Sequence, residues 1–142
     1  MKKVLVTGGA GFIGYHLANK LLNSNYQIDL IDNFLRGVND SQLINLSENK
    51  KINLINADLF QSDIINQVNN DYTYIYHLAA VIGVQHVLKS PYDVLTKNYI
   101  LLQNALKIAK KQKNLDRFLF ASTSEVYAGT LNYYGLEFPT LE

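Results

Sequence analysis

Cysteine is absent from this sequence of 142 residues, and charge of one sign is scarce, because the formal net charge is only +1. The lack of cysteine excludes disulfide bonds and any metal site with cysteine ligands, and it fits a reducing compartment. The lack of a charged block or an arginine-rich arm argues against nucleic acid and acidic lipid as partners. We therefore expect a protein that binds neither nucleic acid nor a membrane.

Long hydrophobic runs are also missing. No stretch approaches the roughly 18 consecutive apolar residues that a membrane-spanning helix requires. The basic and apolar start, from Met1 to Val6, is too short for the hydrophobic region of a signal peptide and stops at glycines. His77 and His86 have no partner ligands at a useful spacing, so we predict no metal site. These absences favour a soluble, cytoplasmic protein.

The sequence does contain an alternation of short apolar runs and helical segments. The runs typical of buried strands cover residues 3–6, 27–31, 51–55, 73–77 and 117–121. The segments with helical spacing cover residues 12–22, 38–46, 61–68 and 91–113. This alternation predicts βαβ units and an α/β fold with a doubly wound parallel sheet of strand order 3-2-1-4-5. We expect residues 1–142 to form one domain, without a second.

The last helical segment has apolar residues on more than one face. Between residues 93 and 111 these residues include Val94, Leu95, Tyr99, Leu101, Leu102, Ala105, Leu106, Ile108 and Ala109. A helix that lies on a sheet needs one apolar stripe, so the broader stripe predicts a second covered surface. Either the helix is deeply buried within the domain or it forms a subunit interface. We expect a homodimer through residues 93–112.

A glycine-rich turn joins the first predicted strand to the first predicted helix. Gly8 permits the tight turn, Gly11 lets a diphosphate approach the backbone, and Gly14 allows the helix to pack closely on the sheet. The free N–H groups and the positive dipole at the start of the helix suit an anion. Asp32, roughly twenty residues further on, supplies the acidic residue that this fingerprint requires. The pattern predicts a Rossmann-type domain that binds a dinucleotide; the alternative is that the glycines serve only a turn.

The acidic residue also indicates which dinucleotide is bound. A carboxylate at Asp32 can accept hydrogen bonds from both adenosine ribose hydroxyls, and it repels a 2′-phosphate. This favours NAD as the cofactor. Arg36 lies nearby and could pair with a 2′-phosphate, so NADP stays the alternative.

The spacing Gly-x-x-Gly-x-x-Gly, within Val-Thr-Gly-Gly-Ala-Gly-Phe-Ile-Gly, resembles the short-chain dehydrogenase/reductase superfamily. With Asp32-Asn33-Phe34 it resembles the extended branch, the NAD-dependent epimerases and dehydratases of sugar nucleotides. Ala57-Asp58-Leu59, His77-Leu78-Ala79-Ala80, Asn98 and the segment from Ser122 to Tyr127 match in the same order. The resemblance implies cofactor contacts at Gly8, Gly11, Phe12, Ile13, Gly14, Asp32, Asn33, Asp58, Leu59, Leu78, Ala79, Ala80, Asn98 and Ser122.

Four of these matched positions have an ordinary structural alternative. Asp58 could be the N-cap of a helix that begins near Gln61. His77 could be a buried ring with satisfied hydrogen bonds, and for this residue we favour the structural role over catalysis. Asn98 could be a helix-surface residue, and Ser122 could hold the backbone at the end of a strand.

The resemblance also implies a mechanism, in which NAD transiently oxidises a sugar carbon, usually C4, and the hydride later returns. A Tyr-x-x-x-Lys motif supplies the base, and Thr123 aligns with the family's catalytic serine or threonine. Glu125 is either a second acid/base or a solvated loop carboxylate. Ser124 departs from the acidic pair of sugar 4,6-dehydratases, which argues against dehydration. The Thr-Ser-Glu-Val-Tyr string is similar to UDP-glucuronate decarboxylases and some epimerases.

No Tyr-x-x-x-Lys motif follows Glu125. We therefore expect a chain truncated before the last strands and the substrate domain, which binds NAD without turnover on its own and leaves apolar surface open to self-association. The leading hypothesis is the NAD-binding portion of a nucleotide-sugar epimerase. The alternatives are a UDP-glucuronate decarboxylase-like enzyme and a catalytically inactive NAD-binding protein on the same fold.

Overall fold

The computed structural model describes residues 1–123, which form one five-stranded parallel sheet with helices on both faces. The strands are β1 (Lys3–Thr7), β2 (Gln27–Asp32), β3 (Ile52–Asn56), β4 (Tyr74–His77) and β5 (Arg117–Phe120). The helices are α1 (Phe12–Asn23), α2 (Ser41–Ser47), α3 (Ile64–Gln67), α4 (Val84–Lys89) and α5 (Pro91–Lys111). The strand order is β3-β2-β1-β4-β5, which confirms the predicted fold class and order.

The burial of the central strand β1 shows that the sheet is covered on both sides. Val4, Leu5 and Val6 are all completely buried, although successive side chains of a strand point to opposite faces. Val4 and Val6 belong to a core that includes Ala18 of α1, whereas Leu5 belongs to a second core that includes Ile108 of α5. A continuous apolar run of this kind is typical of a parallel strand between two helical layers.

The strand predictions agree with the structure to within one residue at each end, whereas the helices differ more. Helix α2 begins at Ser41 because the Asp40 carboxylate accepts a hydrogen bond of 2.9 Å from the N–H of Leu43. Helix α3 begins only at Ile64, so the interpretation of Asp58 as the N-cap of a helix near Gln61 is wrong. The sequence pattern does not indicate α4, which the structure shows at Val84–Lys89.

Helix α5 divides its apolar residues between the core and the surface. Its buried residues are Leu101, Asn104, Ala105 and Ile108. Its exposed large apolar residues are Tyr92, Leu95, Tyr99 and Leu106, with 77%, 70%, 60% and 48% of their surface accessible. The deeply buried alternative is therefore wrong for this chain, because one apolar stripe of the helix is uncovered. Within residues 1–123, no helix is long and apolar enough to cross a membrane.

A buried polar cluster lies on the face of β2 that packs towards α3 and α5. Asp29 is only 3% exposed, and its Oδ2 accepts hydrogen bonds from the Tyr72 hydroxyl at 2.5 Å and the Asn69 amide at 2.9 Å. The ammonium of Lys3 lies 3.6 Å from the same oxygen, and the Asn53 amide donates to Oδ1 at 3.4 Å. Burial raises the pKa of Tyr72, and its hydrogen bond to Asp29 raises it further. The cluster holds the Asp29 carboxylate and its partners towards the amino ends of β1 and β4, away from the carboxyl ends of the strands.

Candidate functional site

The candidate site is the crevice at the carboxyl ends of β1, β2 and β4. These strands end at Thr7, Asp32 and His77, and β1 lies between the other two. The chain leaves β1 towards β2 on one side, and it reaches β4 on the other side only after β3. A crevice opens at such a switch point, and ligands of open α/β sheets bind there.

Two glycines of the turn after β1 are required by the structure itself. Gly8 has a φ of +74°, and a Cβ atom there would lie 2.9 Å from the backbone nitrogen of Ala79. A Cβ on Gly14 would overlap the carbonyl oxygen of Gly8 and lie 2.8 Å from the Cα of Gly9. Both glycines therefore bring backbone segments together, which is the structural role that the sequence predicts for them.

Gly11 is different, because its backbone conformation does not require a glycine. Its φ of −76° and ψ of 165° are extended backbone that any residue adopts. Among the described residues, only the Gly8 carbonyl oxygen, at 3.3 Å, would come within 4 Å of an added Cβ. Gly11 thus leaves open space in front of the first turn of α1, and that space fits a diphosphate against bare backbone.

The first turn of α1 suits an anion. Within residues 1–123, no side chain caps this helix, and its first turn contains no acidic residue. Helix α2, by comparison, is capped by Asp40. The first N–H groups of a helix have no intrahelical partner, so those of α1 suit a negative ligand. Phe12 and Ile13 begin the helix, and their side chains are 81% and 65% exposed.

The Asp32 carboxylate lies directly beside the glycine-rich turn. Its Oδ2 accepts a hydrogen bond of 3.0 Å from the N–H of Ala10, and its Oδ1 accepts one of 2.8 Å from the N–H of Phe34. Gly37 packs against this carboxylate, since a Cβ there would lie 3.0 Å from Oδ1. Asn33 makes a local turn, in which its side chain accepts from the N–H of Leu35 at 3.1 Å. The structure therefore holds Asp32 in one orientation at the crevice.

Arg36 reaches across the crevice to the loop that follows β4. Its Nη1 donates a hydrogen bond of 3.1 Å to the carbonyl oxygen of Ile82. The guanidinium group is exposed and connects the loops after β2 and β4. The cation that could pair with a 2′-phosphate is therefore engaged with the protein backbone after β4.

Thr7 and His77 connect β1 to the loop after β4. They are paired in the register of β1 and β4, and the Thr7 Oγ1 lies 2.8 Å from the His77 Nδ1. The same Oγ1 accepts a hydrogen bond of 3.3 Å from the N–H of Ala79, and the Leu78 N–H donates to the Thr7 carbonyl at 3.1 Å. The His77 ring also stacks on Phe120, with the ring centres 5.9 Å apart. These contacts support the structural role that we favour for His77.

The buried His77 ring makes the stability of the chain depend on pH. Burial lowers the pKa of His77 from 6.5 to about 4, so the ring is neutral in the folded chain at neutral pH. The unfolded chain binds this proton from about pH 6.5 downwards. The neutral His77 ring therefore makes its full contribution to stability above about pH 6.5, and this contribution is lost as the pH falls towards 4. We expect on the order of 2 kcal/mol to be lost between pH 7 and pH 4.5.

Urea denaturation at several pH values between 7 and 4.5 measures this effect. The His77→Gln variant is the control, because carboxylates titrate in both proteins and only the histidine contribution differs. The free energy of unfolding of the variant should depend less steeply on pH. Parallel curves for the two proteins would contradict a buried neutral ring.

Two asparagines of α5 bind the loops that border the crevice. Asn98 accepts a hydrogen bond of 2.7 Å from the N–H of Val81 and donates one of 2.9 Å to the carbonyl oxygen of the same residue. The interpretation of Asn98 as a simple helix-surface residue is therefore wrong. Asn104, which the sequence reasoning missed, donates to the carbonyl oxygen of Leu59 at 2.8 Å. The Asp58 carboxylate accepts from the N–H of Phe60 at 2.9 Å.

The remaining predicted residues follow β5. Ser122 and Thr123 lie just after the strand, on the crevice side of the sheet, and the Ala121 N–H donates to the His77 carbonyl at 3.2 Å. Both residues are exposed. Glu125 lies outside the described residues. No group of histidines or carboxylates in the described part of the chain could hold a metal ion.

Comparisons with known proteins agree with this geometry. The sequence model of the NAD dependent epimerase/dehydratase family matches residues 4–134. UDP-N-acetyl-alpha-D-glucosaminuronate decarboxylase of Bacillus cytotoxicus is 34% identical over 126 residues, which are 89% of this chain and 38% of that protein. UDP-glucuronic acid decarboxylase 1 of Arabidopsis thaliana is 34% identical over 131 residues, which are 92% of this chain and 28% of that protein.

Solved structures of similar proteins share the fold. A variant of UDP-glucuronic acid 4-epimerase from Bacillus cereus, in complex with NAD and a fluorinated UDP-glucuronic acid, superimposes with a TM-score of 0.77. It is 32% identical, and the match covers 99% of this chain and 44% of that one. The chain therefore spans less than half of the length of these relatives.

Proposed function

Because this chain belongs to the NAD-dependent epimerase/dehydratase family, we propose that it is the NAD-binding portion of an enzyme that acts on a nucleotide sugar. One observation carries the proposal: the Asp32 carboxylate lies 3.0 Å from the N–H of Ala10, beside an uncapped helix start. That pairing brings an acceptor for ribose hydroxyls directly beside a donor surface for a diphosphate.

The donors and acceptors at the crevice fit NAD. The diphosphate would lie against Gly11 and the first N–H groups of α1, where no protein side chain of residues 1–123 competes. The two oxygens of Asp32 each accept one backbone hydrogen bond, and a carboxylate has further lone pairs for ribose hydroxyls. The backbone of Leu78, Ala79 and Ala80 would border the nicotinamide half.

NAD, when bound, accepts a hydride and thereby allows transient oxidation of the sugar, usually at C4. In this proposal Thr123 donates a hydrogen bond to the reacting sugar oxygen, and Glu125 is an acid/base candidate. A family epimerase inverts the oxidised sugar, and this is the reaction that we propose. The names of the two decarboxylase relatives favour a UDP-glucuronate decarboxylase-like enzyme as the second candidate.

The 142-residue chain contains no Tyr-x-x-x-Lys motif, so we propose that by itself it binds NAD without converting a nucleotide sugar. The third candidate is an inactive NAD-binding protein on the same fold. Conversion of UDP-glucose or UDP-glucuronate by this polypeptide would exclude both ideas. The cytoplasmic location stays a prediction.

We predict that the chain binds NAD at least tenfold more tightly than NADP, and that Asp32→Ala removes this preference. The variant should also bind NAD about ten to a hundred times more weakly, because hydrogen bonds to a charged acceptor contribute about 1.5–3 kcal/mol. Titration calorimetry with each dinucleotide measures both effects.

Asp71→Ala is the matched control for this experiment. Asp71 is also a carboxylate, its side chain is 63% exposed, and it precedes β4 at the opposite end of the strand. Its replacement should leave both affinities unchanged. Equal binding of NAD and NADP by the unaltered chain would disprove the cofactor assignment.

We further propose that two copies of the chain associate through the exposed stripe of α5, formed by Tyr92, Leu95, Tyr99 and Leu106. These residues are three, four and seven positions apart, which places them on one side of the helix. An uncovered apolar surface of this kind is typical of an interaction site.

Sedimentation of the chain should therefore give the mass of a dimer, and Leu95→Glu with Tyr99→Glu should give a monomer. The control is Ile44→Glu, which changes a 44% exposed apolar residue on α2, on the other face of the sheet. The control should remain dimeric. A monomeric unaltered chain at about 100 µM, well above a micromolar dissociation constant, would refute this interface.

A further inference from the structure

Helix α5 contacts the backbone of two loops that border the crevice on opposite sides of the glycine-rich turn. The loop after β3 lies beyond β2, on the side of Asp32, and the Ala57 N–H donates to the Asp32 carbonyl at 3.1 Å. The loop after β4 lies on the other side of β1. A dinucleotide whose ribose is bound by Asp32 must place its adenosine half over the first loop and its second half over the other.

Each loop is bound by one asparagine of α5. Asn98 makes two hydrogen bonds with the backbone of Val81 in the loop after β4, at 2.7 and 2.9 Å. Asn104, only 3% exposed, donates to the Leu59 carbonyl in the loop after β3 at 2.8 Å. The Lys107 ammonium donates to the Asn104 Oδ1 at 3.2 Å, which directs the amide nitrogen towards the carbonyl.

The two asparagines are six residues apart on a continuous helix, and six residues rise about 9 Å along its axis. Since this distance is fixed by helix geometry, both loops are held at a fixed separation. Neither amide has a free role in the crevice, because their polar atoms are bound to backbone or to Lys107.

We infer that Asn104 is a positioning residue for the adenosine half of the dinucleotide, and that α5, through Asn104 and Asn98, sets the spacing between the two halves of the site. The inference rests on the proposed function, since it concerns the same crevice. Loss of Asn104 should loosen only the loop after β3, whereas loss of Asn98 should loosen only the loop after β4.

The test compares the binding of two ligands, AMP and NAD, by two variants of α5 and by one control variant. We expect Asn104→Leu to weaken the binding of AMP and the binding of NAD by the same factor, about tenfold, because both ligands contain the adenosine half. Asn98→Leu should weaken NAD about tenfold and leave AMP within twofold of the unaltered chain. Titration calorimetry gives the affinities, and urea denaturation gives the stability of each protein.

Gln112→Leu is the matched control. Gln112 follows the last residue of α5, accepts from the Tyr72 N–H at 2.9 Å and donates to the Asn69 carbonyl at 3.1 Å, at the amino end of β4. Its loss should lower stability as the asparagine variants do, yet change neither affinity. Should Asn104→Leu fail to fold, Asn104→Asp keeps the shape and replaces only the donating nitrogen.

The outcomes separate this inference from the proposed function. If the unaltered chain binds neither AMP nor NAD, the proposed function is wrong and the inference is wrong with it. If it binds both, but Asn104→Leu and Asn104→Asp bind AMP normally, only the inference is overturned. An equal loss of AMP and NAD affinity in the Gln112→Leu control would also overturn the inference, because the change in affinity would then follow the loss of stability alone.

Discussion

Gly11→Ala should weaken the binding of NAD about a hundredfold while the free energy of unfolding changes by no more than about 1 kcal/mol. The backbone at Gly11 is extended, with a φ of −76°, so alanine adopts it without strain. Among the described residues, the new methyl group would approach only the Gly8 carbonyl oxygen, at 3.3 Å, a tight contact for which that oxygen must shift by a few tenths of an ångström. It would instead occupy the space in front of α1 that we assign to the diphosphate.

Gly14→Ala is the informative comparison, because the same methyl group there meets protein rather than ligand. Its Cβ would overlap the Gly8 carbonyl oxygen and lie 2.8 Å from the Gly9 Cα, and both are backbone atoms that cannot rotate away. The start of α1 must then move, and we expect a loss of about 1–3 kcal/mol of stability. Urea denaturation and calorimetry on both variants measure the two effects.

The pair of variants also shows what would contradict the site. If Gly11→Ala keeps its affinity for NAD, the diphosphate does not lie against this turn. If Gly11→Ala is instead destabilised as strongly as Gly14→Ala, the space in front of α1 is occupied by protein. Either result would remove the physical basis of the proposed function.

The sheet could be predicted from the sequence because its signals are local and strong. Each strand is a short apolar run bounded by turn residues, and the run in β1 is apolar at consecutive positions because both faces are covered. Helix α4 could not be predicted in the same way. All six of its residues are exposed, so it has no buried stripe, and it follows Gly83, whose φ is +122°.

The backbone geometry at the crevice could be predicted where its residues follow a spacing rule, and not where they meet across the fold; the cofactor contacts themselves stay a prediction. The glycine-rich turn and Asp32 follow a spacing rule with a physical cause, so the pattern identifies them. Thr7 and His77 are 70 residues apart, and Asn104 and Leu59 are 45 apart. Their contacts follow only once the strand register and the helix packing are known. The pairing of Thr7 with His77 follows directly from the strand order, since Thr7 ends β1, His77 ends β4, and the two strands are neighbours.

Asp29→Ala should lower the free energy of unfolding by about 3–5 kcal/mol, which is the cost of removing one partner from a buried ion pair. The Asp29 carboxylate accepts from Tyr72, Asn69 and Asn53 and lies 3.6 Å from the Lys3 ammonium, so alanine leaves four donors without this acceptor. Its replacement should leave the affinity for NAD unchanged, because the cluster lies far from the carboxyl ends of the strands. Urea denaturation measures the loss of stability.

Two variants show how this energy is divided within the cluster. Tyr72→Phe removes only the hydroxyl, and we expect a loss of about 1–3 kcal/mol because the Asn69 amide still serves the same oxygen. Asp71→Ala is the control, since this exposed carboxylate lies 3.8 Å from the Lys3 ammonium and exposed pairs contribute about 0–1 kcal/mol. If Asp29 and Tyr72 act together, the double variant should lose less than the sum of the single losses. A loss below 1 kcal/mol for Asp29→Ala would mean that water replaces the carboxylate, and that the cluster does not hold β2 to the loop before β4.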